Sequence, residues 1–429
     1  HEAMTYFLNH LPRSLHMVII SRSSSPLSLS RLRMQGELNE VTGVDLRFTD
    51  GETGDFFSRA LALTLDSEIT ARFRKRTEGW AAGLRLAALR LERRSSLADI
   101  HGLLADFSGS HLQIVEFVVE EVVNRLAPRD QEFVLKTSFL PYLTDSLCAA
   151  VTGHKDSAET LLRLSKADLF IAPLDEEGRW FRCHALFAEA MQTEAQRRYP
   201  IEEWNAARQK ALDWHMRHGD YAAAVEMALA IGDHTRAAEA ILAHEQPDPY
   251  RIMNREYHTL RRWLDMLPYP VVADNPDLSF VMALTRVFTS DRRDQDTGLA
   301  VEQALADAES RWQSARATPE LGRVYAFRGM LAYWQGALAQ AFAAARRAHG
   351  LLADDDHVWQ GVNLLQMAHE ALLAGEIGEA ESVLRAARAA NERAGNSHGL
   401  LAAKQLQAIV ARDRGQLGYV QQIYSEIAQ

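Results

Sequence analysis

Three places in this sequence carry side chains that could meet a polar ligand. His184 ends the run Trp180-Phe-Arg-Cys-His184 and stands where a hairpin gives way to a helix. From that joint an imidazole can reach a ligand held by a neighbouring domain. Neutral or protonated, it can donate a hydrogen bond to an oxyanion, and protonation strengthens the contact. The plainer role is a helix cap or a core histidine, which composition alone favours in a chain with 16 histidines. Arg22 lies two residues past Ile20, the end of a short apolar run, where a guanidinium could meet a phosphate bidentately. A solvated loop arginine is the plainer role there. Thr77-Glu-Gly-Trp-Ala-Ala-Gly-Leu84 puts Gly79 and Gly83 at a helix start. Each missing Cβ lets a ligand or a second helix come close.

Other chemistries lack their residues. No Gly-x-x-x-x-Gly-Lys-Ser/Thr occurs, so the backbone cradle and lysine that hold nucleotide phosphates are not in this sequence. Cys148 and Cys183 show no metal-ligand spacing and cannot form a disulfide framework, which points to a reducing, cytoplasmic compartment. The net charge of -10 argues against non-specific attraction of the whole chain to nucleic acid or an anionic membrane. No apolar run approaches the roughly 20 residues of a membrane span. At 429 residues the chain is long enough for two or more domains.

The elements that must position these residues follow in order. A first helix holds Met4, Phe7 and Leu8, and since the chain opens inside it at His1 it reads as a fragment. His16-Met-Val-Ile-Ile-Ser-Arg22 has the continuous β-branched pattern of a strand buried on both faces. Thr49 and Glu52 form a capping box for a helix over 49–62, and Asp66 opens another through Phe73. Over 111–126, Leu112, Val115, Val119, Val122 and Leu126 share one helical face. Pro128 starts the next helix, and Thr144 and Asp156 cap two more. Then come an apolar run at Leu169-Phe-Ile171, the turn Asp175-Glu-Glu-Gly178, a second strand and a helix with Leu186, Phe187, Ala190 and Met191 at helical spacing. Three helices, a two-stranded wing and a closing helix describe a winged helix. Its candidate recognition helix, Asp156 to Asp168, sets Asp156, Glu159 and Asp168 against Arg163 and Lys166, a balance that disfavours insertion into a DNA groove.

From residue 202 the texture becomes alanine-rich helical pairs. Gly336, Gly375 and Gly415 sit in matching contexts 39 and 40 residues apart, the period of a TPR-like solenoid. Leu242 to Asn275 reads as a longer connection holding an amphipathic helix near Arg261-Arg-Trp-Leu264.

At this point the residues carry a resemblance. Ile20-Ser-Arg22, Leu46-Arg-Phe-Thr49, Thr77-Glu-Gly-Trp-Ala-Ala-Gly-Leu84, Lys136-Thr-Ser138, Leu147-Cys148 with Thr152-Gly153, and Leu174 through Phe187 occur in an order that resembles the MalT-type branch of the LuxR-family transcriptional regulators, which are signal-transduction ATPases with numerous domains. The resemblance covers residues 1 to about 240, and the solenoid agrees with it. It implies a mainly α chain: the end of an α/β P-loop NTPase domain (1–48), a helical lid domain (49–110), a winged helix (111–200) and an incomplete TPR-like sensor (201–429). The P-loop would precede this fragment and a helix-turn-helix would follow it.

The resemblance also implies a function for the longer protein. It would be a slow regulatory ATPase that rests with ADP and, with ATP, Mg2+ and an inducer on the solenoid, self-associates and binds DNA through the missing C-terminal domain. The inducer would be a small molecule or a protein. No membrane is implied. Arg22 matches the sensor arginine that reads nucleotide phosphates, and His184 matches the winged-helix histidine on the β-phosphate of ADP. Ala81 falls where relatives often have a proline near the adenine, a departure that leaves open adenine contact through this residue. Cys183 also departs from the family pattern, where a bulky residue is common. The competing reading is a helical-repeat interaction scaffold with a degenerate ATPase module.

Overall fold

The structure is a computed structural model that describes residues 2–10, 12, 15–20, 29–43, 45–61, 65–91, 112–166, 170–245, 257–291 and 294–427. It divides into two compact units, 1–218 and 219–429. Among the described residues no helix is long and apolar enough to cross a membrane.

The first unit opens with helices α1 (Glu2–Asn9) and α2 (Ser30–Met34). Between them the expected buried strand does not form in residues 15–20, which have no ladder partner and lie exposed, Val18 at 84% and Ile20 at 94%. A strand buried on both faces needs a neighbour at each edge, and none lies among the described residues. Arg22 falls outside the described residues.

The capping box holds as expected at α3 (Asp50–Leu61). The Glu52 carboxylate accepts from Thr49 N at 2.9 Å, and Thr49 Oγ1 accepts from Glu52 N at 3.3 Å. Asp66 caps α4 (Ser67–Thr77), which runs a turn beyond Phe73, accepting from Ile69 N at 2.7 Å. After Glu78 and Gly79 the chain turns into α5 (Ala81–Leu91). Phe57, Phe73, Ile69 and Leu84 are fully buried among these helices. Each contributes roughly 2 kcal/mol by leaving water.

The winged helix follows as α6 (Leu112–Glu121), a short 3-10 turn (Val123–Arg125), α7 (Pro128–Thr137), α8 (Asp145–Thr152), α9 (Ser157–Lys166), β1 (Ile171–Pro173), β2 (Phe181–Cys183) and α10 (Ala185–Arg198). The buried face of α6 differs from the expected one: Ile114, Val115, Val118 and Val123 are buried, while Val119 and Val122 are only half-buried. The helix stops at Glu121, and the tighter 3-10 turn then rotates Val123 inward. The wing pairs Ile171 with Cys183 and Pro173 with Phe181, and Leu143 bridges Phe181 on the opposite edge. Its turn is built as the sequence required. Gly178 has φ 64°, and the Asp175 carboxylate accepts from the backbone N–H groups of Arg179 and Trp180 at 2.9 and 3.1 Å. Helix α11 (Ile201–His218) completes the unit, with Trp204, Ala207 and Ala211 buried.

The second unit is helical throughout its described residues: α12 (Tyr221–Ala230), α13 (His234–His244), α14 (Tyr257–Asp265), α15 (Tyr269–Ala273), α16 (Pro276–Thr289), α17 (Gln295–Ala315), and the pairs α18 (Thr318–Trp334) with α19 (Leu338–His349), α20 (His357–Leu373) with α21 (Ile377–Arg393), and α22 (Ser397–Asp413) with α23 (Leu417–Ile427). The expected amphipathic helix near Arg261 is α14, which buries Tyr257, Leu260, Trp263 and Leu264. Three repeat turns share one geometry. Gly336, Gly375 and Gly415 have φ of 77°, 78° and 73°, and the residue after each donates its N–H to the carbonyl five residues back at 2.9 Å. A second glycine register runs beside the first. Gly322 and Gly361 lie 39 residues apart, and a Cβ at Gly322 would sit 2.7 Å from Leu352 N, so α18 meets the backbone of the turn that follows α19 there. Gly395-Asn-Ser-His-Gly399 has the spacing of a nucleophile elbow. Here it only joins two helices, with Asn396 capping α22, and lacks the strand that the elbow requires.

Candidate functional site

His184 is the N-cap residue of α10, yet its side chain makes no capping bond. Its backbone N–H donates to Phe170 O at 2.8 Å, which ties it to the wing. The ring is 5% exposed and turns toward the end of α4, where Nε2 meets Thr77 O at 2.9 Å. A carbonyl only accepts, so Nε2 carries the proton and Nδ1 is bare in the neutral ring. Nδ1 is buried and has no hydrogen-bond partner.

The cap that His184 withholds comes from Glu78. Its Oε1 accepts from Ala185 N at 3.4 Å. Its Oε2 lies 3.1 Å from Arg182 Nη2, 3.5 Å from Arg47 Nη1 and 3.9 Å from His184 Nε2. Glu78 reaches this position because it takes left-handed backbone angles, φ 50°, at the C-cap of α4, followed by Gly79 at φ 73°. Gly79 is needed for a second reason: Phe48 N donates to Gly79 O at 2.9 Å, and a Cβ on Gly79 would meet Phe48 O at 2.6 Å. A second ion pair fastens the same two segments, with Arg76 Nη2 2.7 and 3.0 Å from the two carboxylate oxygens of Glu189 on α10.

Aromatic packing completes the joint. Trp80 meets Phe170, Phe117 and His184 with ring centroids 5.1, 5.8 and 6.3 Å apart, and Phe170 stacks on Phe187 at 5.0 Å. A Cβ on Gly83 would fall 2.7 Å from the Trp80 ring and 3.5 Å from Leu186. The glycines of the Thr77–Leu84 stretch therefore admit protein, from residues 47–48 at Gly79 and from the winged helix at Gly83.

Of the three expected site residues, the structure brings His184 against the Thr77–Trp80 turn. Ala81 opens α5 and is exposed. Glu78, Arg47 and Arg182 were not singled out as site residues by the sequence. One signal was available: a carboxylate at the C-terminal end of a helix opposes the helix dipole, at a cost of about 0.3–1 kcal/mol, and so implies cationic partners from elsewhere.

The electrostatics keep the ring neutral. Burial pushes the His184 pKa below its ordinary 6.5; nearby Glu78 and the Thr77 carbonyl pull the other way, and Arg47 and Arg182 add to the depression. The unfolded chain then binds this proton more readily than the folded one. The stability contribution is complete above pH 6.5 and is lost as pH falls below it toward the folded value. The thermal midpoint of the first unit is expected to drop between about pH 7 and 5, and more shallowly in His184→Gln. Parallel melting curves would contradict this assignment. Burial also pushes the Cys148 and Cys183 thiols up to about 12, so neither serves as a thiolate near neutrality.

The candidate recognition helix α9 has one of its two cations, Arg163, engaged. Arg163 Nη2 is 2.6 Å from Asp130, and Asp156 is held by Arg129 at 2.6 Å.

Comparison with known proteins adds to this geometry. Residues 119–203 match the family model of the MalT winged helix domain. The chain is 30% identical over 285 residues to the HTH-type transcriptional regulator MalT of Klebsiella pneumoniae (strain 342), covering 66% of this chain and 31% of that protein. It is 31% identical over 284 residues to MalT of Serratia proteamaculans (strain 568), again covering 66% and 31%. It therefore spans about a third of the length of the curated relatives it matches. Among solved structures, the Signal Transduction ATPase with Numerous Domains (STAND) protein with a tetratricopeptide repeat sensor from Pyrococcus horikoshii aligns with a TM-score of 0.48 and 13% identity, over 89% of this chain and 60% of that one. Residues 119–203 therefore form a MalT-type winged helix domain, and about two thirds of the chain is similar in sequence to MalT-type transcriptional regulators.

Proposed function

We propose that this chain is the switch and sensor portion of a nucleotide-dependent transcriptional regulator. The observation that carries the reading is the docking of the winged helix on the α4–α5 turn through His184. A docked winged helix is a two-state element: made or broken contacts at one joint change how the flanking domains are held. The donor set at the joint suits a terminal phosphate. It has the α10 N-terminus and the Arg47 and Arg182 guanidiniums; the neutral His184 ring gives its Nε2–H to Thr77 O and joins them as a donor only when Nδ1 takes a proton, and the described residues offer no cradle for a base or ribose. ADP or ATP with Mg2+ would therefore be held mainly by a phosphate loop outside this sequence, with His184 contributing to the phosphate end and Arg22 as its second contact. Bound nucleotide supplies the charge that biases the joint; the chain's own part is to close or open the winged helix.

The second unit is the sensor in this reading. A cavity of about 450 Å³ lies between α21, α22 and α23, with Arg385, Lys404, Gln407 and Tyr419 over Leu384 and Val410. It is a candidate inducer site. Self-association and DNA binding are outputs of the longer protein, the latter through a separate domain.

The test uses the longer protein that carries the phosphate loop. Purified wild type is expected to retain ADP. His184→Ala is expected to lose it at least about tenfold faster, about 1.4 kcal/mol, and to show raised transcription without inducer. Unchanged ADP retention and unchanged basal output in that variant would sink the proposal.

A further inference from the structure

The repeats of the second unit leave one cation without its counter-charge. Arg346 on α19 and Arg385 on α21 occupy the same register, ten residues after Gly336 and Gly375. Arg346 forms an ion pair with Glu370, which stands on α20 five residues before Gly375. The residue five before the next repeat glycine, Gly415, is Val410 on α22. Arg385 thus keeps the place of Arg346, and an apolar side chain stands where its carboxylate would be. Arg385 and Val410 both line the cavity of about 450 Å³ between α21, α22 and α23. The other charged side chains that line it are matched: Glu381 meets Arg414 at 2.7 Å, Arg388 meets Glu392 at 2.8 Å and Lys404 meets Glu426 at 3.2 Å. Among the described residues Arg385 has no ion-pair or hydrogen-bond partner. On the same wall the Tyr419 hydroxyl accepts from Gln407 Nε2 at 2.9 Å and keeps its own O–H to give. The floor is apolar, with Leu384, Ala403 and Val410 all buried.

We propose that this cavity binds a small organic monocarboxylate with a compact apolar body, its carboxylate taking on Arg385 the place that Glu370 takes on Arg346. A guanidinium holds a planar carboxylate through two parallel N–H donors, and the apolar body covers Leu384, Ala403 and Val410. The volume lies in the lower part of the roughly 300–1,000 Å³ of small-molecule sites, which favours a small ligand over a protein. The charge sets the valence. One uncompensated cation matches one negative charge, and a phosphate dianion would set its second charge against Glu381 and Glu392. A neutral ligand would cover Arg385 and leave it unpaired, which costs stability. The inference rests on reading the cavity as the inducer site and names the chemical class of the inducer.

The test uses this chain as it stands, labelled with 13C at its leucine and valine methyl groups. The Leu384 and Val410 signals are assigned by their loss in Leu384→Ile and Val410→Ile. Phenylacetate, 4-methylpentanoate and hexanoate are the probes, each beside its own primary amide, with sodium chloride of matched ionic strength as the control titrant. At least one of these carboxylates is expected to shift both signals saturably and to bind about tenfold or more tighter than its amide, the scale of one charged hydrogen-bonded contact. Arg385→Gln is expected to weaken that binding by the same factor, while Arg346→Gln, whose carboxylate partner is already in the chain, leaves it unchanged. Val410→Glu supplies the missing carboxylate from within and is expected to abolish binding. No saturable shift with any of the three carboxylates, equal binding of acid and amide, or undiminished binding in Arg385→Gln each overturns the proposal. Arg385 is exposed, so its replacement is expected to keep the fold; where Val410→Glu does not fold by circular dichroism, the other two comparisons decide. The inducer reading is tested apart, by transcription in the longer protein. Carboxylate binding without a transcriptional response retires the inducer role and keeps the site. A transcriptional response to a small molecule that survives Arg385→Gln, with no carboxylate binding here, retires the ligand class alone.

Discussion

Gly79→Ala is expected to destabilise the first unit by about 3–5 kcal/mol, the range of a change that breaks buried structure. Two penalties add. The first is conformational: Gly79 has φ 73°, which costs an L residue roughly 1–2 kcal/mol. The second is steric. The added Cβ would lie 2.6 Å from Phe48 O and 2.9 Å from Phe48 N, and no side-chain rotation moves backbone atoms away. The Phe48–Gly79 hydrogen bond at 2.9 Å would be lost as the segments separate. Gly153→Ala isolates the first penalty, because Gly153 has φ 79° and nothing within 4 Å of its Cβ position. It is expected to cost only about 1–2 kcal/mol. Urea unfolding of both variants measures the difference, and equal losses would remove the backbone contact from the account. The same change bears on function: Glu78 and the Thr77 carbonyl immediately precede Gly79, so the substitution should also weaken His184 docking.

In the second unit, Gly399→Ala is expected to cost about 2–4 kcal/mol. Its Cβ would fall 1.8 Å from Asn391 Oδ1 and 2.7 Å from Asn396 Nδ2. The Asn391 amide has nowhere to retreat. It is fully buried, donates to Ala387 O at 2.7 Å and accepts from Asn396 Nδ2 at 2.8 Å. On its other side is Gly361, whose Cβ position is 2.7 Å from the same oxygen. Asn396 in turn accepts from Gly399 N at 3.0 Å, so displacing it uncaps α22. Asn391→Ala alone should cost about 1–3 kcal/mol by leaving a buried donor unpaired. The double variant should lose clearly less than the sum, because the methyl added by Gly399→Ala then has room. A double-mutant cycle that comes out additive would show that the methyl does not meet Asn391.

The local features of this fold were legible in the residues. The Thr49–Glu52 capping box, the Asp175–Gly178 turn, the winged helix as an order of elements, and the glycine period at Gly336, Gly375 and Gly415 all formed as read. Each depends on side chains within a few residues of one another, on periodicity, or on a φ that glycine alone takes freely. Where neighbours in space decide, the reading fell short. The run at 15–20 has the composition of a buried strand and lies exposed, since pairing is a property of a sheet and not of one segment. Within α6 the neighbours in space bury Ile114 and Val118 rather than Val119, and beyond it the 3-10 turn replaces Val122 by Val123 on the buried side.

The site divides in the same way. His184 was found at the junction of hairpin and helix from the sequence alone. Its acceptor is a backbone carbonyl 107 residues away, and a carbonyl has no residue type to recognise. Glu78 and Arg182 are 104 residues apart. The sequence determined the pieces of the joint: a histidine before a helix, a glycine that permits the turn, and a carboxylate at the wrong end of a helix. Only the tertiary structure decided that these pieces meet, because burial across separate segments brings Arg47, Glu78, Arg182 and His184 to one place, and burial acts on surfaces whatever the distance along the chain.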